Sequence, residues 1–148
     1  GSEKKYYHDI VGVNSRLDTI QALILSKKIN NLDKYNLSRK KIANIYKKNI
    51  RNDKVKKLDY SPGCVFHQYV ILTKNIKKFS EYLIKNDIPF GRHYPFPLHK
   101  LKAVKNLFLK QKFPNSEQLA KNGISLPIDP LMKKKEALYI CKKINQFI

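Results

Sequence analysis

The chain has 148 residues, 42% of them hydrophobic and 11% aromatic, which is one domain's worth of sequence and too apolar for a disordered tail. Its formal net charge is +20, yet no apolar run approaches the roughly 18–20 residues of a membrane span, and no charged-then-apolar leader is present. Gly1 and Ser2 read as a scar of tag removal, which leaves residues 3–148 as the domain.

Residues 3–13 read as an extended segment ending at Gly12-Val13. A helix then starts. Ser15 with Asp18 three residues on resembles a capping box, and Leu17, Ile20, Ile24 and Leu25 follow at helical spacing. Asn30-Asn31 breaks that helix, and a second one carries Tyr35, Ile42, Ile45, Tyr46 and Ile50 on one stripe, so the two form a helical hairpin. Residues 51–63 are polar and close on the turn Ser61-Pro62-Gly63. Val65 to Leu72 is a dense β-branched and aromatic run, which predicts a buried strand. Residues 75–86 predict an amphipathic helix with Ile76, Phe79 and Leu83 inward. Asp87-Ile88-Pro89 leads to a predicted short strand near Phe90–Tyr94, then to the proline-rich corner His93–His99. Residues 101–113 read as a lysine-rich loop with a helical turn, and Pro114 and Ser116 open a short helix ending at Asn122-Gly123. Ile124 to Ile128 predicts a brief edge strand, because Pro127 cannot donate to a ladder. Leu131 to Ile148 predicts a helix with Ala137, Cys141, Ile144 and Ile148 inward. Helices flanking three short strands make a small α+β domain, with the hairpin packed partly outside it.

The charge is not a nucleic-acid signature. Only Arg16, Arg39, Arg51 and Arg92 carry the planar fork that reads phosphate and base edges, and the lysines are spread along the whole chain. No specific nucleic-acid partner is therefore expected. Cys64 and Cys141 are far apart without CxxC spacing, and Cys141 falls on an apolar stripe, which fits a reducing, cytoplasmic setting.

Three segments are candidates for chemistry. Gly12 to Asp18 offers a helix start with Asn14, Ser15 and Arg16 beside it, suited to phosphate or to an ordinary cap. Arg92 to His99 gathers Arg92, His93, Tyr94 and His99 on a stiff corner, either a binding element or a rigid turn. No acidic or thiol ligand accompanies these histidines, so no metal is expected. Ser125-Leu126-Pro127-Ile128 reads alone as a strand edge. No catalytic nucleophile–base arrangement and no glycine-rich phosphate loop is legible.

Taken together, several segments carry a resemblance: Tyr7-His8, Gly12-Val13-Asn14-Ser15-Arg16-Leu17-Asp18-Thr19-Ile20-Gln21-Ala22, Arg39 with Ile42-Ala43 and Tyr46, and His67-Gln68-Tyr69-Val70-Ile71. His93-Tyr94-Pro95 with Pro97-Leu98-His99, Phe113-Pro114 with Glu117, and Ser125-Leu126-Pro127 continue it in order. From about Tyr6 to Ile148 the chain resembles the C-terminal part of the DegT/DnrJ/StrS sugar aminotransferases, in the version that aminates UDP-linked 3-keto-hexuronic acids. Ala22-Leu23 departs from the family's usual Ala-Ala, and Arg92 stands where a hydrophobic residue is more usual.

The resemblance implies the small C-terminal domain of a fold-type I, pyridoxal-phosphate-dependent enzyme, with a short antiparallel three-stranded sheet, flanking helices and the N-terminal hairpin. It implies that Asn14 reaches the cofactor phosphate of a neighbouring subunit and that Arg16, His93, Tyr94 and His99 bind substrate. It also implies a homodimer, glutamate as amino donor and a role in polysaccharide biosynthesis. The lysine that forms the Schiff base belongs to a large domain that this sequence does not match, so the chain alone is expected to be inactive. The alternative is a stand-alone, non-catalytic module that keeps the fold and binds a nucleotide sugar, a partner subunit or polyanions.

Overall fold

The computed structural model describes residues 2, 5–14 and 16–148. Gly1 of the expected tag scar and Ser15 of the expected capping box lie outside the described residues. In chain order the elements are α1 (Thr19–Ile29), α2 (Leu32–Asn49), β1 (Val55–Lys57), β2 (Tyr69–Thr73), α3 (Ile76–Lys85), α4 (Pro114–Asn122), β3 (Gly123–Leu126) and α5 (Lys134–Asn145). Short 3-10 turns at Leu98–Lys100 and Lys105–Phe108 punctuate the link from α3 to α4. The class is α+β, as expected.

The sheet has the order β1-β2-β3 and is antiparallel throughout, with Val55 opposite Thr73 and Tyr69 opposite Leu126. Its membership differs from the sequence expectation. Three residues, Val55–Lys57, supply a strand where a polar connection was predicted, with Val55 buried and Lys56 exposed. That stretch is too short for alternation to register. The predicted strand near Phe90–Tyr94 reduces to one bridge, Gly91 to Ser125. Pro89 and Pro95 flank it and supply no donors, so the ladder has nowhere to extend. The central strand starts at Tyr69 rather than Val65, because Phe66 adopts a left-handed φ of 53° that no strand accommodates. Leu126 ends β3 one residue before Pro127, and β3 is an edge strand as expected.

The core lies between the sheet and three helices. Ile42, Ala43 and Tyr46 of α2, Phe79 and Leu83 of α3, and Ala137, Cys141 and Ile144 of α5 form one buried cluster with Ile71 and Ile124 of the sheet. Burial pushes the Cys141 thiol up to about 11, as suits an inert core residue. The last helix ends at Asn145, earlier than predicted, so the inward position falls to Phe147 and Ile148 is 81% exposed. The Phe147 ring meets Phe79 edge-on at 4.8 Å. At the junction of α4 and β3, a Cβ on Gly123 would lie 2.5 Å from the Leu119 carbonyl oxygen, so only glycine lets the helix run directly into the strand.

Helix α1 buries no side chain at all; Ile20, Leu23, Ile24 and Leu25 are all exposed. The next helix, α2, is the one that joins the core, against α5.

Asparagines lock the ends of α2 and α5 together. Asn52 Nδ2 donates to the carbonyls of Ile144 (2.7 Å) and Phe147 (2.8 Å), and Asn145 Nδ2 donates to Asn49 O at 2.8 Å. Asn52→Ala leaves two carbonyls without their donor and is expected to lower stability by about 1–2 kcal/mol in urea unfolding. An unchanged midpoint would show that water replaces the amide without loss.

Candidate functional site

Helix α1 begins at Thr19, later than the Gly12–Asp18 pattern suggests. Its N-cap is Asp18, whose carboxylate accepts from Ile20 N at 2.8 Å. A carboxylate thus covers the helix start that was expected to receive phosphate. Asn14 and Arg16 lie ahead of the helix on an exposed, irregular stretch.

The start of that stretch is anchored on the proline corner. Tyr6 packs edge-on against Tyr94 at 5.7 Å, and Tyr7 packs against Phe96 at 4.9 Å. The His8 carbonyl accepts from Ala103 N at 3.0 Å, and Asp9 pairs with Lys102 at 3.1 Å. Segments almost a hundred residues apart in sequence therefore meet, and the arm bearing Asn14 and Arg16 leaves from the His93–Tyr94 corner.

His93 is held from below by β3. Gly91 exchanges both backbone hydrogen bonds with Ser125, at 3.0 and 2.8 Å, and the Ser125 hydroxyl lies 2.9 Å from His93 Nδ1. The imidazole folds back over Gly91: a Cβ there would sit 2.3 Å from His93 Cε1. Beside this pair lies a cleft of about 610 Å³ lined by Lys5, His67, Gln68, Arg92, His93 and Ser125, among others. Partial burial, then the charges of Lys5 and His67, hold His93 below its ordinary value, so its neutral form is favoured. The cleft gathers amide, imidazole and cationic donors, which suits an oxygen-rich or anionic ligand.

The other predicted residues divide. Tyr94 shares the corner, its ring 5.6 Å from that of His93, and is 61% exposed. His99 does not line the cleft. Its Nε2 lies 3.2 Å from Glu117 Oε1, its ring packs on Phe113 at 4.7 Å, and its side chain is only 11% exposed. Lys100 reaches the same carboxylate at 2.9 Å, so His99 braces the corner against α4. Arg92 has a similar job: its guanidinium donates to the Ala120 carbonyl and to Lys121 O at 3.4 Å, at the end of α4 where a cation meets the helix dipole. This accounts for a charged residue at that position.

Hydrogen bonds from Lys100 first and His99 second hold the Glu117 carboxyl below its ordinary value. A carboxyl depressed in the folded state stabilises it above the ordinary carboxylate range and stops doing so as pH falls through the depressed value. The corner is expected to loosen on acidification below the ordinary carboxylate range. Ring-proton shifts of Phe113 followed by NMR should show this acid step in the native chain and not in Glu117→Gln.

Of the residues lining this cleft, the sequence singles out His93 as a candidate but gives no sign of Lys5 or of the Ser125 side chain beside it. Ser125-Leu126-Pro127 was noticeable only as a strand edge, because pairing across 32 residues has no local signal.

A cofactor with an aldehyde to be held by lysine needs an enclosed lysine. Among the described residues no lysine is buried. Half-buried Lys57 spends its ammonium on the carbonyls of Lys47 (2.8 Å) and Ile50 (2.7 Å), at the end of α2. The described residues thus do not complete a pyridoxal phosphate site, and what they offer is an exposed arm and a cleft wall. A second cleft of about 630 Å³, between Asp87–Pro89 and the start of α5, holds Met132, Tyr139 and Ile140 and none of the predicted site residues.

The family profile of the DegT/DnrJ/EryC1/StrS aminotransferases matches residues 1–145. The chain is 38% identical, over 99% of its length and 41% of the relative's, to dTDP-3-amino-3,6-dideoxy-alpha-D-galactopyranose transaminase of Aneurinibacillus thermoaerophilus. It is 32% identical, over 98% of its length and 40% of the relative's, to UDP-2-acetamido-2-deoxy-3-oxo-D-glucuronate aminotransferase of Pseudomonas aeruginosa. Among solved structures it is similar to DesV of S. venezuelae in complex with a ketimine intermediate, with a TM-score of 0.80 and 27% identity, covering 99% of this chain and 40% of that one. A DegT DnrJ EryC1 StrS aminotransferase from Brucella abortus gives 0.77 at 31% identity with the same coverages. The chain spans about 40% of the length of these relatives.

Proposed function

This chain belongs to the DegT/DnrJ/EryC1/StrS aminotransferase family, and on that premise we propose that it is the C-terminal portion of an enzyme that moves an amino group from glutamate to a nucleotide-linked keto sugar. The observation that carries the reading is the family match over residues 1–145, joined to coverage of only about 40% of each relative. The greater part of each relative's length has no counterpart here, and that part is where we place the lysine that holds pyridoxal phosphate.

Bound cofactor supplies the electron sink for amino transfer. The residues of this chain supply orientation. His93 and Tyr94 face the substrate from the corner, with Lys5, His67 and Gln68 beside them as donors to sugar or phosphate oxygens. Asn14 and Arg16, carried on the exposed arm, reach the cofactor phosphate and the substrate of a neighbouring subunit. His99 acts on the site by bracing the corner. The bare apolar surface of α1 supports a homodimer or a large-domain contact, since such a face is stable in water only when covered. Relatives named for dTDP-, UDP- and GDP-linked sugars leave the base open. No helix among the described residues is long and apolar enough to cross a membrane, and we place the protein in the cytoplasm, where nucleotide sugars are made.

Given pyridoxal phosphate, glutamate and a UDP- or dTDP-linked 3-keto sugar, the 148-residue chain is expected to transfer no amino group, and turnover by it alone would overturn the assignment. The stand-alone binding module is separated by titration. Nucleotide-sugar binding that persists in about 0.15 M salt marks a retained pocket, whereas binding that collapses with salt is charge alone.

A further inference from the structure

We propose that Ser125 is a positioning residue that fixes which imidazole nitrogen of His93 faces the ligand: its hydroxyl donates to Nδ1 and leaves Nε2–H as the donor offered to an anionic or hydroxyl oxygen. The proposal rests on the reading of the corner as a substrate wall. Three groups of this one residue grip the 91–93 segment. Its backbone N–H donates to Gly91 O at 2.8 Å, its carbonyl accepts from Gly91 N at 3.0 Å, and its hydroxyl lies 2.9 Å from His93 Nδ1.

The direction of the side-chain bond follows from burial. Ser125 is 5% exposed, and its hydroxyl has no hydrogen-bond partner but Nδ1 among the described residues. A buried hydroxyl proton without an acceptor costs about 1–3 kcal/mol, so the hydroxyl donates. Nδ1 then accepts, and a neutral imidazole that accepts at Nδ1 carries its proton on Nε2. Partial burial, then the nearby charges of Lys5 and His67, favour the neutral form, in which the choice of tautomer matters. Gly91 completes the arrangement, since any Cβ there would displace the ring from Ser125.

The test reads the ring directly. Long-range proton–nitrogen NMR spectra of the 148-residue chain at about pH 8, above the ordinary histidine range, report the tautomer of each histidine. His93 is expected as a single Nε2–H tautomer, to lose that signature to an averaged mixture in Ser125→Ala, and to regain it in Ser125→Thr, which keeps a hydroxyl. His99, tied to Glu117, should stay unchanged and so reports that the variant is folded. An Nδ1–H tautomer in the native chain would overturn the proposal without any variant. So would a native pattern that Ser125→Ala leaves intact. The measurement needs no substrate, so it stands apart from the turnover that decides the aminotransferase reading.

Discussion

Replacing Tyr46 with alanine is expected to lower stability by about 3–5 kcal/mol, enough to unfold much of a domain of ordinary marginal stability. Tyr46 is fully buried where α2, the sheet and α5 converge. Its ring lies 5.0 Å from that of Tyr69 on the central strand. Its hydroxyl donates to Pro127 O at 2.7 Å and lies 3.8 Å from Met132 Sδ, both in the link from β3 to α5. Burial pushes its pKa far above the ordinary tyrosine value, so the hydroxyl remains a donor at every working pH. Tyr46→Phe separates the two contributions. It keeps the ring and leaves the Pro127 carbonyl unpaired, at a cost of about 1–2 kcal/mol. Urea unfolding of both variants checks this. A phenylalanine variant as unstable as the alanine one would mean that the hydroxyl, not the packed ring, holds α2 to the domain.

Most of the fold was legible because its helices obey one period. Ile42, Tyr46 and Ile50 sit on a stripe that the sequence displays, and all three are buried. Phe79 and Leu83 do the same for α3. The errors fall where local pattern and tertiary pairing part. Val65 belongs to a β-branched run yet is 44% exposed, because the chain turns at Phe66 before it joins the sheet. Val55–Lys57 joins the sheet through pairing with Ile71–Thr73, which no three-residue window announces. Ile148 looks inward only if the last helix runs on past Asn145.

The candidate site was legible in part for a different reason. His93, Tyr94 and His99 attract notice as a cluster, but sequence distance treats them alike. The structure sorts them by partner. His93 turns to Ser125 at 2.9 Å, and His99 turns to Glu117 at 3.2 Å. The same sorting explains Arg92, whose charge is spent on the end of α4 rather than on a ligand. The arm is the least legible part. Nothing in Tyr6 to Asp9 signals that it docks on a corner almost a hundred residues away, and that docking brings Lys5 to the cleft.

Gly91→Ala should separate function from stability in the opposite sense to Tyr46. A methyl at this position collides with His93 Cε1 at 2.3 Å, and the ring, as the far end of a mobile side chain, is what gives way. The backbone bridge to Ser125 is compatible with alanine, so the expected loss of stability is only about 1–2 kcal/mol, mostly from the Ser125 hydroxyl left without its acceptor. Displacing the imidazole by an ångström or more is expected to lower kcat/KM for the nucleotide sugar about 100-fold in the complete enzyme we propose. If the methyl acts through the ring, then the two changes share one mechanism and cannot add. Gly91→Ala combined with His93→Ala should be no slower than His93→Ala alone. A double variant slower by the product of the two single effects would instead mean that Gly91 is needed for the chain's own path around the corner, with His93 a bystander to it.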